Sequence, residues 1–309
     1  MKASYLSLLL GLSMLAIAGC SQINPADSPV SDTEKSNFEL FSQFGEFHNA
    51  MLAYAAENVD AEQPAESLED GLDYLVKLHS DFADELDLQA SSKEQIKTYL
   101  QTYKNLYNKE NFLFLSQTKA HDMLDMEVMP DREEAFTEAE VYSMIDASYS
   151  RGEIDSFERD AFTSLIDWSI AYTTGNMVEW VFVQNVNQLI ANWEIRYANA
   201  DYSELIDEEG RTREVCVNEL PEGALSGVVL NISQSSMEYW EAHSTRALAL
   251  IAAQDIVGAV IGGVSGAAGS AIVGGSVNWG SVAWGAAVGA VTGSTGVVGK
   301  VAKFLTTLF

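Results

Sequence analysis

The chain has only two cysteines, Cys20 and Cys216, among its 309 residues, which excludes a disulfide framework. Basic residues are also scarce, with 17 Lys and Arg against 45 Asp and Glu. Phosphate recognition needs a basic patch and none is visible, so nucleic acid is excluded as an expected partner. Only four histidines are present, and no His-Glu-x-x-His pattern occurs. Gly-x-Ser-x-Gly, a phosphate loop and Cys-x-x-Cys are missing as well, so the sequence offers no positive sign of an enzyme or a cofactor. There is no convincing succession of alternating strands. Charge of either sign is missing from residues 256–299, a stretch of 44 residues that holds 13 of the 22 glycines.

That uncharged tail has its own order. Gly258, Gly262, Gly266, Ser270 and Gly274 recur at every fourth position, as do Ser281, Gly285, Gly289 and Gly293 after a break. Residues four apart share one face of a helix, so each half presents a smooth strip. Gly274–Asn278 reads as the turn between two helices, with Trp279 and Trp284 suited to a membrane interface. Each half is long enough to cross a hydrocarbon core. Small-residue strips let backbones approach closely in lipid. The segment resembles the glycine-zipper hairpins of small outer-membrane lipoproteins and the zipper tails of bacteriocin-type membrane-active peptides. That resemblance implies membrane insertion or self-association through residues 253–309. The plainer alternative is a close-packed hairpin docked on a soluble body.

At the other end, Lys2 precedes an apolar run over Leu6–Ile17, and small residues lead to Cys20. This is the layout of an export signal, too short for a comfortable membrane span. Ile17-Ala18-Gly19-Cys20 resembles the bacterial lipobox. The resemblance implies lipidation of Cys20 by two or more acyl chains, palmitate among the usual ones, which anchor where one does not. With Ser21 rather than Asp next, it implies an exported protein sorted to the outer membrane of the cell envelope. Residues 1–19 are thus the expected signal peptide and residues 20–36 a lipidated cysteine and flexible tether.

Between the two ends the pattern is helical. Stripes run through Phe41–Ala55, Leu68–Leu86, Ile96–Leu106, Ile154–Tyr172 and Val178–Tyr197, and Phe112–Met126 is a less regular candidate. Thr137-x-x-Glu140 reads as a capping box ahead of Val141. Arg151-Gly152 and Gly175 read as stops, Asp201–Gly223 as an acidic loop, and Leu225–Ile251 as a last helix. The expected class is all-α: a multi-helix bundle, residues 37–252, followed by a C-terminal Gly/Ala-rich helical hairpin, residues 253–309. All 45 acids lie between Asp27 and Asp255 alongside 14 basic residues, a net of −31. A cationic protein partner is one explanation of that charge.

His48 and His79 each replace an apolar residue on a helical stripe. Together with Glu46 they form a candidate metal set, the basis of a weaker alternative in which the chain is a metal-dependent enzyme, with Asn49, His121 and Asp122 as neighbours. The plainer reading makes both histidines buried packing residues. Gly45-x-x-His48-Asn49-x-x-Leu52 faintly resembles the openings of uncharacterised exported bacterial helical proteins, and a small residue at position 45 lets another helix approach.

Overall fold

The computed structural model describes residues 36–58, 68–86, 90, 93–94, 96–97, 138–207, 211–213, 215–243, 248–274 and 277–296. The signal segment, Cys20, the tether, His121, Asp122 and the helix expected at Phe112–Met126 lie outside these residues, as does most of the one expected at Ile96–Leu106.

Eight α-helices dominate the described residues: α1 (Ser42–Asn58), α2 (Leu68–Glu85), α3 (Glu138–Ser150), α4 (Ser156–Thr173), α5 (Glu179–Arg196), α6 (Ala224–His243), α7 (Leu248–Gly274) and α8 (Trp279–Gly296). The all-α class holds. The described residues belong to one compact unit.

Local chemistry sets several of the boundaries. Asp155 caps α4 through a reciprocal capping box with Glu158. Gly152 and Gly175 adopt φ of +73° and +84°, left-handed conformations that stop α3 and α4 where the sequence suggests. Asn278 accepts a hydrogen bond from the Ser281 backbone N–H at 2.8 Å, three residues into the turn that starts α8.

The expected single helix over Leu225–Ile251 is two helices. Ser236 and Trp240 on α6 both bond Asp255 on α7, 19 and 15 residues away. Along one continuous helix those residues would stand about 22–28 Å apart, so the chain must reverse between them. The sequence hid this because no glycine or proline lies between Gly227 and Gly258 to mark the break.

At the centre of the body, α7 packs most extensively on α8 and then on α6, α4 and α3, while α8 also covers α1. Trp279 and Trp284, expected at a membrane interface, are buried. They meet Phe41, Phe44 and Phe47 of the N-terminal segment edge-on, with centroids 5.1–6.3 Å apart. The turn between α7 and α8 is pinned by a two-residue antiparallel pairing. In it, β1 (Cys216–Val217) joins β2 (Val277–Asn278) with Cys216 opposite Asn278. The Trp279 backbone N–H extends that pairing to the Val215 carbonyl at 3.0 Å.

The N-terminal edge closes onto late parts of the chain. The Asn37 amide donates to the carbonyls of Tyr197 and Ala200 at 2.7 and 2.9 Å. Asn231 donates to the Phe38 carbonyl at 3.4 Å.

Candidate functional site

Phe41, Phe44, His48 and Met51 step 3-4-3 and line the buried side of α1 and the turn before it, while Glu46 is exposed. The imidazole of His48 therefore points into the body, where it meets Asp255. Both side chains are fully buried, with Nε2 and Oδ2 3.2 Å apart. That is an ion-pair distance, but the ring nitrogen lies outside hydrogen-bond geometry. Oδ2 instead accepts from the Ser236 hydroxyl at 2.6 Å and the Trp240 indole N–H at 3.0 Å. Nδ1 of His48 pairs with the Asn49 amide oxygen at 2.9 Å, and Asn49 donates to the Ser235 carbonyl at 3.1 Å. One carboxylate thus joins α1, α6 and α7 at the start of the uncharged tail.

This node has the residue types of a nucleophilic relay but not their order. Ser236 donates to Asp255 and not to His48, so His48 is not placed to take its proton. Full burial of Asp255 also denies substrate access. Its chemistry is that of a polar clamp in an apolar core, where an acceptor with several donors costs far less than one without.

His79 does not join it. It is buried on α2 with neither ring nitrogen hydrogen-bonded. Burial holds its pKa down to about 4, since the charged imidazolium is expensive without water. Glu46, His48 and His79 are not gathered into one ligand set. Among the described residues no group of three or more His, Cys, Asp or Glu is placed to hold a metal ion.

A second polar node went unread in the sequence. Glu158 is buried and accepts from three donors. Oε2 takes the Asp155 N–H at 3.0 Å; Oε1 takes the Ser226 N–H at 2.9 Å and its hydroxyl at 3.2 Å. Here one carboxylate caps α4 in its own chain segment and the first turn of α6, 68 residues later. Burial outweighs these hydrogen bonds and pushes the Glu158 pKa up to about 7. Around it, the Trp193 N–H reaches the Gly223 carbonyl and Ser226 Oγ, both at 3.0 Å, and the Tyr197 hydroxyl donates to Asp155 at 2.5 Å. Asp155-x-x-Glu158 is itself a capping pattern, so half of this node had a sequence signal. Its link to α6 had none.

Of the expected zipper residues, Gly258, Gly262 and Gly266 on α7 and Gly285 and Gly289 on α8 are buried, and Ser281 is half-buried. Ser270, Gly274 and Gly293 lie in the same helices, with surroundings outside the described residues. In the hairpin a close helix approach falls at Gly263, off the expected strip. A Cβ there would meet Leu225 Cδ1 of α6 at 2.5 Å and Ala286 Cβ of α8 at 3.4 Å. Among the described residues no helix is long and apolar enough to cross a membrane.

Cys216, the cysteine not assigned to lipidation, is exposed beside Asn278, whose amide lies 3.8 Å from its sulfur. No family model, curated protein or solved structure matches this chain.

Proposed function

We propose that this chain is a non-enzymatic envelope lipoprotein that works as an interaction module. Acylated Cys20 holds it on a membrane, Ser21 rather than Asp at the next position directs it to the outer membrane, and the zipper hairpin completes the core of an acidic helical body. The observation that carries this reading is the burial of Asp255 between α1, α6 and α7. Inserting the hairpin in lipid would strip that carboxylate of its donors or drag it into hydrocarbon, at a cost of several kcal/mol. The acidity of the body suits a cationic protein partner and disfavours anionic lipid and nucleic acid.

A second reading keeps the hairpin as a membrane-inserting element, with an envelope-structural or toxin-like role. The lack of any charge across residues 256–299 favours it.

Fractionation separates the two. The full chain should follow the membrane. Its Cys20→Ala variant, exported on an ordinary cleavable signal, should be released as a soluble protein, and deleting residues 256–309 should unfold the remainder. A Cys20→Ala variant that still needs detergent, together with a folded and soluble deletion product, would establish the inserting reading and reject the first.

A further inference from the structure

The outer face of α5 differs from the rest of this strongly acidic surface. Between Asp167 and Glu194 the chain carries a single charged residue, Glu179. The inner side of α5 buries Phe182, Val186, Leu189, Ile190 and Trp193. Its outer side exposes Trp180, Gln184, Asn187, Gln188, Asn192 and Ile195, with the exposed charges Glu179, Glu194 and Arg196 confined to its two ends. Trp180 is 68% exposed and Ile195 79%, and Val178 beside Trp180 is 55% exposed. These are three of the four exposed large hydrophobic residues among those described. Amphipathic packing explains the inner side, but it gives no reason to leave an indole and an isoleucine in water.

We propose that the outer face of α5 is a homodimer surface that takes a second copy of this chain. The occupant follows from charge. Two bodies of formal charge −28 repel one another wherever their carboxylates face, and the middle of this face, from Trp180 to Trp193, carries none. A cationic partner would find little to neutralise here. Gln and Asn carry both donors and acceptors, so an amide strip is complementary to itself. The arrangement also suits a two-fold axis, which requires residue i of one copy to meet residue j of the other and the reverse. Trp180 and Ile195 lie at opposite ends of the strip, about 22 Å apart along the helix. With α5 antiparallel to its copy and the axis passing between Asn187 and Gln188, Trp180 covers the partner subunit's Ile195 at both ends. The proposal is independent of the zipper and of the function proposed above.

The test uses the full chain. Asn187→Cys is introduced in a Cys216→Ser background, which removes the exposed thiol, and the protein is oxidised. A disulfide-linked dimer is expected from Asn187→Cys and not from Ser150→Cys, an exposed position at the end of α3. Trp180→Asp should cut the cross-linking roughly tenfold, as expected on losing a buried aromatic anchor. Ile195→Glu should do the same, giving a second reading should Trp180→Asp prove to misfold by circular dichroism. Cross-linking should strengthen as salt screens the repulsion between bodies. Absence of the Asn187→Cys dimer, equal cross-linking from Ser150→Cys, or indifference to both anchor substitutions would overturn the proposal. So would an equal yield from Ser281→Cys, which would move the contact to α8.

Discussion

Gly45 shows what one missing methyl group does. A Cβ at this position would lie 2.0 Å from Ser235 Oγ, 2.7 Å from Ser235 Cβ and 2.8 Å from Asn231 Oδ1. Rotating the serine hydroxyl away relieves only the first of these. Helices α1 and α6 cross at this point, and the crossing brings His48 and Asn49 against the α6 backbone. Gly45→Ala should therefore cost about 2 kcal/mol in denaturant unfolding. Adding Ser235→Gly should restore part of that loss, whereas the same serine change in the wild-type chain should only destabilise. The sequence announced that a helix approaches at position 45, because a glycine interrupts an otherwise bulky stripe. It could not name the helix. The same limit applied to His48. Its place on the stripe made it a buried residue, but its partner Asp255 sits on the far side of the chain, and no local period connects the two.

Among the elements, α7 is the one whose placement was least legible. Helices α1 to α5 each have a polar face, so their stripes told which side turns inward. In contrast, α7 and α8 are apolar on every side, and a pattern without a polar face fits lipid or a protein interior equally well. What distinguishes the two in this fold is polar: Asp255 with its donors, and Asn278 at the turn. Asp255→Ala should thus do more than shorten a side chain. It leaves the Ser236 hydroxyl and the Trp240 N–H without their acceptor in a dry site, and the expected loss is about 3 kcal/mol or more. Amide hydrogen exchange should locate the damage, with protection falling first in the first turns of α7 and the last turns of α6 while α4 and α5 hold. Uniform loss of protection across all helices would show instead that Asp255 supports the whole body equally.

For the whole molecule, two buried groups set opposing responses to pH. The His79 pKa falls from 6.5 to about 4 on folding. The unfolded chain then binds the extra proton, so this residue's contribution is complete above pH 6.5 and is lost as pH falls through 4. The Glu158 pKa rises from 4.5 to about 7. In this case the folded state holds the extra proton, so its contribution is complete below pH 4.5 and is lost as pH rises through 7. Each shift corresponds to about 3 kcal/mol at full extent. Between pH 4.5 and 6.5 the two slopes nearly cancel, and stability should change little. Single substitutions should unmask them. His79→Leu, which also removes two unpartnered ring nitrogens, should give a protein whose melting temperature falls as pH rises across this window. Glu158→Gln should give one whose melting temperature climbs. Parallel profiles for both variants and the wild type would contradict this assignment.

The closure of residues 37–52 onto α5, α6 and α8 has a consequence for how the chain is made. Its first helix leaves the ribosome before much of what it packs against, since Phe41 waits for Trp193 of α5, and Phe44 and Phe47 wait for Trp279 and Trp284 of α8. An interrupted translation product keeps those aromatic side chains bare and presents an easy target to proteases and chaperones. Until α8 has been made, the tryptophans that cover Phe44 and Phe47 are missing and the fold cannot close around its first helix.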